Sequence, residues 1–118
     1  MDANTTRIGK TGLVITRVSA LDVTPNTSDV AIVIPAAELK ASLWEPEVDP
    51  STESQADWGG WMWAFQLGNG TQALLTNDRR GGIRWSLWVD EEVDPCDALD
   101  ALLDVIAGAG FSANVSQF

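Results

Sequence analysis

The chain has no histidine, no tyrosine and a single cysteine, Cys96. Without histidine the usual general base is missing, and with it the Ser-His and Cys-His pairs of nucleophilic catalysis. No histidine and a single cysteine leave no ligand set for zinc, which takes four Cys or His groups in its structural sites. One cysteine cannot close an internal disulfide, so a cytoplasmic setting is the default expectation. Basic residues are also scarce: seven Lys and Arg stand against 17 Asp and Glu, a net charge of −10. Direct binding to nucleic acid or to an anionic membrane wants the opposite balance. No apolar run approaches the roughly 20 residues of a membrane span. The polar start Met-Asp-Ala-Asn-Thr-Thr does not read as a signal peptide.

What remains is an acidic chain of 118 residues with an ordinary apolar share, enough for one domain, 1–118, with a core of its own. The charge is uneven. Residues 45–118 hold thirteen of the acids against Arg79, Arg80 and Arg84, while residues 1–44 are balanced. Two stretches carry most of the excess: a Pro-rich acidic segment at 45–57, expected to be a mobile loop, and residues 90–104.

Residues 90–110 read as one amphipathic helix. Asp94 suits the N-cap and Pro95 the first helical position, while Gly108 and Gly110 supply the stop. Leu99, Leu102, Leu103 and Ile106 fall at i, i+3, i+4, i+7 and predict the buried stripe. Asp97, Asp100 and Asp104 lie on the outer side with no basic residue on the helix to answer them. Asp104 stands near the negative end of the helix dipole, where a carboxylate is unfavourable. Departures from a local rule mark candidates for function. The plain explanation is a solvated face that keeps the protein dispersed; the sharper one is a partner-binding face.

Elsewhere, residues 1–9 read as a loose tail. Residues 12–19 and 30–34 read as strands, the second apolar on both faces and therefore central. Residues 35–44 fit a short helix with Leu39 and Leu43 on one side, yet 39–44 also alternates like a strand; the helix is preferred. Trp61, Trp63, Phe65 and Leu67 alternate, Gly68-Asn69-Gly70 marks a hairpin, and residues 71–76 return. After a second turn, Ile83, Trp85, Leu87 and Val89 alternate again, which predicts a meander of three strands. Residues 111–118 suit an edge strand or a packed tail. The fold expected is α+β: an antiparallel β-meander of about four to six strands with one C-terminal amphipathic helix packed on one face.

Several site-like patterns fail on their own terms. Gly9-Lys10-Thr11 has the ending of a phosphate loop but lacks the earlier glycine and the preceding strand. Gly68-Asn-Gly70-Thr-Gln-Ala73 matches a dinucleotide fingerprint in letters, yet a hairpin explains both glycines. Cys96 sits beside a helix N-terminus, which favours a thiolate, but the neighbouring carboxylates oppose one; a buried structural cysteine is the expectation. Glu45-x-Glu47-x-Asp49 has oxygen-ligand spacing, with Pro50 where a calcium loop needs glycine. No catalytic residue, metal or cofactor is therefore assigned.

Of the six tryptophans, Trp61, Trp63 and Trp85 fit a core. Trp44 and Trp58 flank the acidic segment, and Trp88 faces away from Trp85. An exposed tryptophan beside carboxylates has the composition of an interface anchor; alternatively Trp88 lies under the C-terminal helix. The expected function is a non-enzymatic inhibitor that docks an acidic surface onto a basic site of a partner, such as a toxin or a nucleic-acid-binding protein. Immunity proteins, nucleic-acid mimics and phage anti-defence (anti-CRISPR) inhibitors work this way. The expected contacts are Asp90, Glu91, Glu92, Asp94, Asp97, Asp100 and Asp104, with Trp88 as anchor. The alternative is an assembly subunit, in the simplest case a homodimer, joined through a Trp-rich sheet edge. A small enzyme or sugar-binding module ranks below both.

Overall fold

A computed structural model describes residues 5–18, 27–46, 62–77 and 83–117. The elements are β1 (Thr6–Ile8), β2 (Val14–Arg17), β3 (Thr27–Val33), α1 (Ala36–Ser42), β4 (Met62–Leu67), β5 (Gln72–Asn77), β6 (Arg84–Val89), α2 (Pro95–Gly108) and β7 (Asn114–Gln117). The strands form one seven-stranded sheet in the order β1-β2-β4-β5-β6-β3-β7, with every neighbouring pair antiparallel.

This corrects the expected architecture in three respects. The sheet has seven strands, its order is not that of a meander, and there are two helices. β4, β5 and β6 are consecutive neighbours at its centre, but β3 comes earlier in the chain and pairs on the far side of β6. Its apolar content accounts for that place: Val30, Ala31 and Ile32 are all buried, and a strand apolar on both faces gains by having a partner at each edge. β1 lies inside the expected loose tail. It forms because Thr6, Arg7 and Ile8 find a register with Thr16, Ile15 and Val14, and β7 closes the other edge against β3.

Both helices lie on one face of the sheet. Ile15, Ile32, Trp63, Phe65, Leu67, Leu75, Trp85, Leu87 and Val89 meet Leu39 and Leu43 of the α1 segment and Ala98, Ala101, Leu102, Val105 and Ile106 of α2 in one cluster. The buried stripe of α2 is therefore rotated from the expected one. Leu99 and Leu103 are half-buried at its margin, while Ala98 and Ala101 face the sheet, where small side chains let helix and sheet approach closely. The helix ends as its glycines predict. Gly110 has φ +94°, its N–H bonds the Ala107 carbonyl at 3.0 Å, and the Phe111 N–H bonds the Ile106 carbonyl at 3.1 Å. This is the Schellman pattern, which a left-handed glycine permits.

Strand alternation sends Trp88 to the other face, in a row with Leu74 and Ala64. Its indole N–H donates to Thr76 Oγ1 at 3.0 Å. Trp88 is thus not beneath α2, and no helix covers its face among the described residues.

Trp44 also departs from expectation. It is not an exposed flank of the acidic segment but part of the core, 7% exposed. Its carbonyl accepts the Trp63 indole N–H at 2.7 Å, while its own buried indole N–H has no partner among the described residues. A buried donor without an acceptor costs about 1–3 kcal/mol. Trp44→Phe removes that donor along with part of the ring, so the two effects oppose. Chemical denaturation is expected to find it within about 1 kcal/mol of the parent, and a loss above 3 kcal/mol would show that the indole N–H is satisfied.

Candidate functional site at the acidic end of α2

The chain leaves β6 at Val89 and turns through Asp90–Val93 into α2. The turn is closed by the Val93 N–H on the Asp90 carbonyl at 2.9 Å and by the Glu92 N–H on Asp90 Oδ1 at 3.1 Å. Asp94 then caps the helix, its Oδ1 accepting the Cys96 N–H at 2.9 Å. Pro95 follows at the first helical position, where its missing N–H costs nothing. This local chemistry fixes two of the acids by backbone bonds. Asp90, Glu91, Glu92, Asp94, Asp97 and Asp100 are all exposed.

Asp104 is different. It is half-buried, and its carboxylate faces the turn between β1 and β2. The Thr11 N–H donates to Oδ1 and Oδ2 at 2.9 and 3.1 Å, and the Leu13 N–H to Oδ2 at 3.1 Å. The Lys10 N–H bonds the Asp104 carbonyl at 3.1 Å. Desolvation pushes this carboxyl up, but the Thr11 backbone and side chain, the Leu13 backbone and the Lys10 charge outweigh it and leave the pKa below 3.8. Gly9 is required here, since a Cβ at that position would overlap the Asp104 carboxyl group. Within Gly9-Lys10-Thr11 the Thr11 N–H alone holds an anion, the protein's own Asp104 carboxylate, and the Leu13 N–H holds it from beyond the segment.

A groove of about 430 Å³ opens beside this clamp. One wall is Gly12, Leu13 and Val14, the second is Leu67, Gly68 and Asn69 at the β4–β5 turn, and the third is Asp97, Asp100 and Ala101 of α2. The structure therefore gathers Asp97 and Asp100 around a concave surface. It sets Asp90, Glu91, Glu92 and Asp94 in the turn before them, takes Asp104 for an internal contact, and puts Trp88 on the opposite face of the sheet. The walls supplied by Gly12–Val14 and Leu67–Asn69 were not anticipated from sequence. The available signal was Leu13, an apolar residue between glycine-rich turn and strand that proves to be 44% exposed.

The remaining candidates are quickly placed. Cys96 is exposed rather than buried. Its thiol is pushed up, first by a hydrogen bond with Asp94 and then by the charges of Asp94, Asp100 and Asp97, which opposes a nucleophilic thiolate. Glu45 is exposed and pairs with Lys40 at 3.3 Å. Residues 47–57, Trp58 and Trp61 lie outside the described residues. Among the described residues no group of three or more Asp, Glu, Cys or His is placed to hold a metal ion, and no helix is long and apolar enough to cross a membrane. Comparison of the chain with protein-family models, curated proteins and solved structures finds no match.

Proposed function

We propose that this chain is a non-enzymatic binding protein that sets an acidic surface on a basic site of a partner protein and blocks it, in the manner of immunity proteins, nucleic-acid mimics and phage anti-defence inhibitors. The observation that carries this reading is the run of six exposed carboxylates, Asp90, Glu91, Glu92, Asp94, Asp97 and Asp100, where β6 passes into α2. The helix brings no basic residue to them. A surface of one sign steers a partner of the opposite sign toward it. Asp104 and Trp88 are left out of the contact set, because one is spent on the β1–β2 turn and the other faces away. A cytoplasmic setting is part of the proposal and rests on the single cysteine.

The alternative of self-association through a Trp-rich edge has less support. Trp63, Trp85 and Trp88 stand on β4 and β6, inside the sheet, and the edge strands β1 and β7 carry no tryptophan.

Affinity capture from the lysate of the host tests the proposal. The intact chain is compared with a variant in which Asp90, Asp97 and Asp100 become Asn and Glu91 and Glu92 become Gln; Asp94 is kept because it caps the helix. The expected result is a basic protein retained by the parent, lost by the variant, and released as salt rises from about 0.05 to about 0.5 M. Retention that ignores both the substitutions and the salt refutes the acidic-surface reading.

A further inference from the structure

We infer that the groove between α2 and the β1–β2 turn receives an arginine side chain of the basic partner. The inference deepens the acidic-surface proposal and rests on it. A bare cluster of carboxylates would accept any cation; this groove has a shape and a mixed lining that select among them.

Its lining is part apolar and part acidic. Leu13, Val14, Leu67 and Ala101 supply the apolar part, Asp97 and Asp100 the charge. Those two residues are i and i+3 on a helix, so their carboxylates stand side by side, and neither accepts a hydrogen bond from a described residue. An arginine matches each part: its aliphatic stem covers apolar wall, and its planar fork of five donors spans neighbouring carboxylates. A lysine ammonium is a more strongly hydrated point charge and gains less from such a lining. Phosphate or another anion is excluded by sign. A sugar would want an aromatic platform, and no described residue of the lining supplies one.

One opposing effect has to be weighed. The N-terminal end of α2 presents roughly half a positive charge, which repels a cation. Asp94, Asp97 and Asp100 supply three negative charges within the first two turns, so the local field stays negative. The groove is also preformed. Asp104 binds the backbone of Thr11 and Leu13 and so fixes the Leu13 wall before any ligand arrives, which lowers the ordering cost of binding.

The test uses the full chain, amide NMR at low salt, and the probe acetyl-Gly-Arg-Gly-amide beside its citrulline and lysine counterparts. Citrulline keeps the shape of arginine and loses the charge. Saturable shifts at Leu13, Asn69, Asp97 and Ala101 are expected with the arginine probe, weaker with lysine and absent with citrulline. Asp97→Asn with Asp100→Asn is expected to weaken the arginine probe roughly five- to tenfold. Glu45→Gln, at an exposed acid that pairs with Lys40 and does not line the groove, is expected to leave it within about twofold. Arginine-dependent shifts centred on residues 90–94, with the groove amides still, would overturn the groove and leave the acidic-surface proposal standing. Equal binding of the lysine probe would overturn the choice of arginine. No arginine-dependent shift anywhere, together with salt-independent capture, would overturn both.

Discussion

Truncating Trp63 to alanine is expected to cost about 3–5 kcal/mol of folding stability, a large share of the roughly 5–15 kcal/mol that a domain commonly has. Trp63 is fully buried and meets Trp85 edge to face, with centroids 5.4 Å apart and planes at 66°. The two indoles also share a task. The Trp63 N–H donates to the Trp44 carbonyl at 2.7 Å, and the Trp85 N–H donates to the Ile34 carbonyl at 2.9 Å. Those carbonyls lie just outside the two ends of α1. A helix of seven residues is too short to persist alone, and Pro35 at its N-cap offers no side-chain bond. The paired indoles therefore hold α1 to the sheet at both ends, and Leu39 and Leu43 fill the space between.

The hydrogen bond can be separated from the packing. Trp63→Phe keeps a ring in the core but leaves the Trp44 carbonyl without its donor, at an expected cost of about 1–3 kcal/mol. Urea unfolding followed by far-ultraviolet circular dichroism gives both values without relying on tryptophan emission. Amide exchange at Leu39 and Leu43, whose N–H groups bond Pro35 and Leu39 carbonyls, is expected to quicken in Trp63→Phe. If exchange in α1 is unchanged while stability falls, the indole packs but does not hold the helix.

How much of this was legible follows from the range of each signal. The β4–β5 hairpin and the strand β6 are written in local alternation and in Gly68-Asn69-Gly70, and α2 in its cap, its proline and its terminal glycines; each needs only neighbours in sequence. The place of β3 does not. Nothing within Thr27–Val33 says that its partners are residues 84–89 and 114–117, so the order of the sheet was out of reach. β1 and β7 have three and four residues, too few for alternation to register, and they exist because longer strands offer them an edge. Trp44 was misplaced because its acidic sequence neighbours suggested solvent, whereas α1 carries it back into the core. The acids of residues 90–100 were legible as exposed, since their surroundings are turn and first helical turns. The groove they help to line was not, because its other two walls come from turns distant in sequence.

Asp104 shows the limit most clearly, and it yields the second large expected effect. Sequence marked it as an anomaly, a carboxylate four residues from the C-terminal end of a helix. The anomaly is real, but its explanation lies 93 residues away at Thr11. Two backbone N–H donors on a charged acceptor, Thr11 to both oxygens and Leu13 to one, outweigh an unfavourable position in the dipole, whose influence is confined to about the last turn. Asp104→Ala is accordingly expected to lower the melting temperature by several degrees at neutral pH and to loosen the β1–β2 turn. Gly9→Ala should produce a similar loss by a different route, since its Cβ would displace the same carboxyl group. Because both substitutions break one contact, the double variant is expected to lose clearly less than the two losses combined. The pH dependence has a fixed sign. The folded pKa of Asp104 lies below its ordinary 3.8, so the contribution is complete above that value and disappears as pH falls through the folded pKa. The gap in melting temperature between the parent and Asp104→Asn should therefore be constant from pH 7 to about 5 and narrow as the pH drops below about 4. A gap that does not narrow at all as the pH falls below about 4, or that is absent at pH 7, would mean that the charge of Asp104 does not hold the turn.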